Sequence, residues 1–167
     1  MSSAPDWSSF KVKINVKATT QELYRAWATR KGMEYWFLRE CDYRRPGGIV
    51  LSPDEFVSTN DVYTWRWHGY PDTSTEQGTI LEANGKDFFK FSFGKAGICS
   101  VTIMKELGET IVELMQSEIP EDENGKMNYH VGCKGGWTFY FANMKSMLEG
   151  GADLRNRNEQ LQEMLNS

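Results

Sequence analysis

Cysteine, histidine and proline are scarce in this chain of 167 residues, which has three Cys, two His and five Pro. The cysteines, Cys41, Cys99 and Cys133, are odd in number and far apart, so they suit a reducing cytoplasm better than a disulfide framework. With His68 and His130 they form no CxxC or HxxxH spacing, and no metal is expected. The chain also lacks the GxSxG of a nucleophile elbow, a phosphate-cradling P-loop and a dinucleotide-binding GxGxxG, so no cofactor is expected either. Lys and Arg are scattered and outnumbered, 19 against 23 Asp and Glu, for a net charge of −4. That balance argues against nucleic acid as a partner. No run approaches the roughly 18 apolar residues of a membrane span, and Met1 to Ser9 has no apolar core of the kind a secretory leader carries.

Aromatic residues, by contrast, are plentiful: six Trp, seven Tyr and nine Phe. A helix near the C-terminus organises them. At about 100° per residue, Trp137, Tyr140, Phe141, Met144, Met147 and Leu148 share an arc of about 120°. Followed backwards, the stripe takes in Cys133, His130 and Tyr129, with Asn128 as the expected N-cap. Gly150-Gly151 after Glu149 supplies a C-cap. Gly132, Gly135 and Gly136 are expected to loosen the helix start or to admit close packing on a sheet. A stripe this wide needs a large apolar surface to lie on.

The rest of the chain can supply that surface. Residues 9–17 alternate, with Phe10, Val12, Ile14 and Val16 on one side and Lys11, Lys13, Asn15 and Lys17 on the other, a half-buried strand. Thr19 with Glu22 forms a capping box for a short helix carrying Leu23, Ala26 and Trp27. After Gly32, Met33 to Phe37 predicts a second short helix. Further strands are expected over 40–45, 61–70, 76–83, 87–93, 98–106 and 110–119, with Asn84-Gly85 as a hairpin turn and residues 49–60 unassigned. Connections this short make the strands antiparallel. The order predicts an α+β domain over 1–167, its core at about 9–152. In it a six- to seven-stranded sheet wraps around one long helix. The tail, 153–167, spaces Leu154, Leu161, Met164 and Leu165 as a short amphipathic helix would, and Phe139 falls on the solvent side, to be covered by that tail or by a partner.

Three stretches carry a resemblance. They are Ala18-Thr19-Thr20-Gln21-Glu22-Leu23-Tyr24-Arg25-Ala26-Trp27, the following Gly32…Trp36-Phe37, and Gly136-Trp137 with Asn143-Met144-Lys145…Leu148-Glu149-Gly150. In this order the chain resembles the START-like (birch-pollen-allergen, polyketide-cyclase) superfamily with its helix-grip fold. Within it the chain is most similar to the activator-of-heat-shock-protein-90-ATPase homologue family. The resemblance implies a cavity between the concave face of the sheet and the long helix, where such proteins bind hydrophobic molecules.

Three functions follow as expectations. The first is non-enzymatic binding of a hydrophobic small molecule or lipid. Its lining would be Trp36, Phe37, Trp65, Trp67, Phe89, Phe91, Met104, Met115, Trp137, Tyr140, Phe141 and Met144, with His130 as a polar group at the mouth. The competing reading of the same side chains is plain core. The second is a co-chaperone-like interaction module acting on a chaperone, with a homodimer as a further partner expectation. The third is a polyketide cyclase or aromatase, which would need an Arg, Tyr, His or Glu aimed into the cavity. No catalytic residue is assigned.

Overall fold

The computed structural model describes residues 3–165. Seven strands form one antiparallel sheet: β1 (Phe10–Asn15), β2 (Glu40–Arg44), β3 (Val62–Arg66), β4 (Glu76–Ala83), β5 (Phe88–Ser92), β6 (Ile98–Glu106) and β7 (Glu109–Ser117). Their spatial order is β1-β7-β6-β5-β4-β3-β2, a meander closed by β1 returning to pair with β7. Residues 49–60, unassigned by the sequence, belong to a loop over 45–61 with a single bridge, Arg44 to Val50. The expected 61–70 strand stops at Arg66, so His68 lies beyond the ladder.

Between β1 and β2 come α1 (Thr20–Ala28) and α2 (Arg30–Trp36). The capping box forms as expected: the Glu22 amide donates to Thr19 Oγ1 at 3.0 Å and the Thr19 amide to Glu22 Oε2 at 2.7 Å. Trp27 of α1 reaches the centre of the domain. Its ring lies 4.8 Å from Trp36, 5.8 Å from Trp137, 6.1 Å from Phe141 and 6.2 Å from Phe89, measured between centroids. The Trp36 indole donates to the Ala26 carbonyl at 2.9 Å and the Tyr43 hydroxyl to the Trp27 carbonyl at 2.9 Å, fixing α1 over the concave face.

The long helix is α3 (Gly132–Leu148), entered through a π-helical stretch, Gly125–Val131. The helical path starts at Glu123, five residues before the expected N-cap Asn128. Asp122 does the capping, its Oδ1 accepting from the Gly125 amide at 2.7 Å. Asn128 instead donates to Asn124 Oδ1 at 2.6 Å. Gly125 must be glycine, because a Cβ there would sit 1.8 Å from the Pro120 carbonyl oxygen. At the other end Gly150 takes φ +82°, and the Gly151 amide closes onto the Ser146 carbonyl at 2.7 Å, as the paired glycines predict.

The tail is not a helix. Residues 152–165 are irregular, held by a polar knot rather than by an apolar stripe. Arg155, with its side chain fully buried, donates to the carbonyls of Glu34, Tyr35 and Leu38 and to both oxygens of Asp153, at 2.8–3.1 Å. It thereby satisfies the orphan carbonyls at the C-terminal end of α2 and places its charge at the negative end of that helix. Asn143, buried on α3, donates to the Trp36 carbonyl at 2.7 Å and accepts from the Leu154 amide at 2.7 Å. Leu154 and Leu161 are both half exposed. Phe139 is half-buried, its ring 5.3 Å from Tyr140.

Candidate functional site

Antiparallel order brings three residues to one edge of the sheet: Trp67 just past the end of β3, Glu76 at the start of β4, and Phe93 just past the end of β5. Over that edge lies the first half of the long helix, and Phe37, the C-cap of α2, closes the side. Together they leave a groove of about 310 Å³ lined by Phe37, Trp67, Phe93, Asn128, Gly132, Cys133, Gly136, Trp137 and Tyr140. Its walls are rings. Phe37 lies 5.1 Å from Trp137, 4.9 Å from Tyr140 and 5.8 Å from Trp67, and Phe93 lies 5.8 Å from Trp137.

The helical wall is shaped by an i, i+4 row: Asn128, Gly132, Gly136, Tyr140. Its two middle members have no side chain. A Cβ built on Gly136 meets nothing within 4 Å, and one on Gly132 meets only the Met127 carbonyl oxygen, at an ordinary 3.4 Å. Close packing on the sheet, one of the two expectations for these glycines, is therefore not their role. They leave open space facing the groove.

A buried polar cluster holds this wall in place. Gln116, fully buried on β7, accepts from the Trp137 indole at 3.0 Å and from the Cys99 thiol at 3.6 Å. Its amide donates to the Ala96 carbonyl at 2.9 Å and to the Tyr129 carbonyl at 3.3 Å. The Tyr129 carbonyl belongs to the π-helical stretch, whose wide turns release backbone oxygens from the ordinary ladder. One side chain thus anchors the indole, the sheet edge and the irregular turn. Cys133 reaches back to the Asn128 carbonyl at 3.8 Å, and burial pushes its thiol pKa up, so it is a neutral wall group at ordinary pH. Burial also raises the Tyr140 phenol.

Of the lining expected from sequence, Phe37, Trp67, Trp137 and Tyr140 border the groove. Trp36, Trp65, Phe89, Phe91, Phe141 and Met144 do not. They are buried among one another and around Trp27, which fills the space expected to be a cavity under the helix. Met104 and Met115 point the other way. Met115 pairs with Ser100 and Lys11, and Met104 shares the parity of Ser100 and Thr102, so both stand on the outer face of the sheet. His130 also lies elsewhere, with Nε2 3.1 Å from the Ser9 carbonyl oxygen and its ring 5.1 Å from Trp7 and 5.3 Å from Phe10. It ties the N-terminal segment to the helix. His68 has its pKa lowered by burial and by the charges of Arg155, Arg157 and Arg39. No group of three or more His, Cys, Asp or Glu is placed to hold a metal among the described residues, and no described helix is long and apolar enough to cross a membrane.

The sheet order, the two short helices after β1 and the long C-terminal helix make this a helix-grip α+β domain. No family profile matches the sequence, and no curated protein does. Solved structures do match in fold. Protein SSP2350 from Staphylococcus saprophyticus superposes with a TM-score of 0.67 at 15% identity, covering 88% of this chain and 96% of that one. The Aha1 dimer from Colwellia psychrerythraea gives 0.66 at 13% identity over 86% of this chain and 97% of that one. DynU16, from the dynemicin biosynthetic locus, gives 0.65 at 18% identity over 92% of this chain and 51% of that one. At these identities the likeness establishes a shared helix-grip fold and leaves function to the site.

Proposed function

We propose that this chain binds a small, predominantly apolar molecule in the groove at the sheet edge, without chemical change to it. One observation carries the reading: the glycine gap in the row Asn128-Gly132-Gly136-Tyr140. Glycine within a helix costs about 1 kcal/mol relative to alanine, and here no neighbouring atom demands it. What the two glycines maintain is room beside five aromatic rings. Pockets for small molecules are mostly apolar with a few placed polar groups, and Asn128, Cys133 and the Tyr140 hydroxyl are the polar groups of this lining. Burying a few hundred Å² of apolar ligand surface contributes several kcal/mol at about 25 cal/mol per Å², before the costs of association. The free thiols Cys41 and Cys99, both buried, fit a protein of a reducing compartment.

The test is fluorescence titration with neutral phenylalkanols, reading the indoles of Trp67 and Trp137 that border the groove. Saturable change in the wild-type chain, lost in Gly136→Leu, is the expected result. Equal titration curves for the two proteins would sink the reading.

A further inference from the structure

We propose that the molecule received by the groove carries a cationic amine, and that Glu76 is the group that meets it. The inference rests on the groove reading above and adds the chemical class of the ligand. Glu76 pairs across the ladder with Trp65, so the two side chains share the concave face. Its place is at the same sheet edge as Trp67 and Phe93. The carboxylate lies over Gly94, the residue after Phe93: a Cβ on Gly94 would stand 2.5 Å from Glu76 Oε1. The electrostatic influence of Glu76 reaches the thiol of Cys133, which lines the groove.

Among the described residues no hydrogen bond or ion pair to this carboxylate is found, although it is half-buried. Burial accordingly raises its pKa. A half-buried carboxylate without a cation gives up part of its hydration uncompensated, a cost that a cationic ligand beside it would offset. No lysine or arginine lines the groove. The rings of Phe37, Trp67, Phe93, Trp137 and Tyr140 present π faces, which attract an ammonium and offer nothing comparable to an anion. Charge and aromatic lining therefore select the same partner: a small amphiphile with an apolar body and a protonated amine.

The experiment uses three probes with one body: 4-phenylbutylamine, 4-phenylbutanol and 4-phenylbutyrate, titrated into the full chain by tryptophan fluorescence. The amine is expected to bind about tenfold tighter than the alcohol, and the acid weakest. Glu76→Gln should remove the amine's advantage and leave the alcohol's affinity unchanged, while Glu76→Asp retains part of the preference. Thermal unfolding of both variants confirms that they are folded. Equal affinity for amine and alcohol in the wild-type chain overturns the cation assignment and leaves the groove reading standing. An amine preference that survives Glu76→Gln overturns the assignment to Glu76 and leaves the groove reading standing. If none of the three binds, the assignment falls together with the groove.

Discussion

Alanine at Gly136 and at its neighbour Gly135 separates the energetics of the helix from those of the groove. Both glycines lie inside α3, and a Cβ at either position meets nothing within 4 Å. Each alanine removes backbone freedom from the unfolded chain and adds helix propensity, together worth about 0.8–1 kcal/mol. For a chain of this size that is a rise in Tm of roughly 2–4 °C per substitution. The two positions differ in what they face. Gly136 borders the groove and Gly135 does not. A methyl group added at Gly136 therefore stands where a ligand would pack, and overfilling a packed contact costs about 1–3 kcal/mol. Affinity for a phenylalkanol probe should fall at least fivefold in Gly136→Ala and stay at the wild-type value in Gly135→Ala. Calorimetric or fluorescence melts and titrations on three proteins read both quantities. Destabilisation by Gly136→Ala would show that the space beside it is filled, and equal affinity in the two variants would show that the groove is not where the probe binds.

The other expectations concern the groups that build the site. Arg155→Met should cost about 3–5 kcal/mol in urea unfolding, because it removes a buried charge partner of Asp153 and leaves the carbonyls of Glu34, Tyr35 and Leu38 without their donor. Arg157→Ala, at an exposed pair with the same carboxylate, should cost less than about 1 kcal/mol. Burial opposes ionisation of Asp153, but the hydrogen bonds and charge of Arg155 outweigh it and hold the pKa well below 3.8. The knot's contribution should accordingly be complete above pH 3.8 and be lost as acid titrates the folded carboxyl, which a Tm-against-pH series for wild type and Arg155→Met would show. Trp137→Phe removes the indole that Gln116 accepts from, and should cost about 1–3 kcal/mol and weaken probe binding through a displaced wall. Glu76 has its folded pKa raised above 4.5 by burial, so ionisation there works against folding. Glu76→Gln should therefore raise Tm at pH 7, with the gain vanishing below pH 4.5; a loss of stability at pH 7 would refute the claim that the carboxylate is unpartnered.

Periodicity explains which parts of this architecture could be read from the chain. Strand β1 has one polar and one apolar face and β3 one aromatic face, so the alternations at Phe10-Val12-Ile14 and Tyr63-Trp65 mark their inner sides. Strands β6 and β7 carry apolar residues on both faces. Parity there had to come from the ladder, and Met104 and Met115 turned out to stand outside. His130 was misplaced for a different reason. An angular count of about 100° per residue holds through α3, but the π-helical turns before Gly132 change the phase, so the stripe cannot be extended through them. The extent of the lining depends on volume, a property of three dimensions: nothing in the spacing of Trp27 says that one indole from α1 will pack against Trp137 and Phe141 under the helix.

The glycine gap in the groove's helical wall and the carboxylate beside the groove did leave marks in the sequence, and both are exceptions to a pattern. Asn128, Gly132, Gly136 and Tyr140 are four apart, so a row with its middle side chains missing is countable once a helix is assigned. Glu76, Gly78 and Ile80 share one parity of β4, and Ile80 is completely buried, so a charged residue stands at an inward-facing position of a strand. Each exception lowers stability: glycine costs helix propensity, and a half-buried carboxylate costs hydration. Residues chosen only to fill a core would not concentrate such costs in and beside one aromatic groove. A ligand that fills the gap and neutralises the carboxylate would offset both costs together, through the linkage by which binding stabilises the fold. The same linkage requires the Tm rise produced by saturating phenylbutylamine to shrink in both Gly136→Ala and Glu76→Gln.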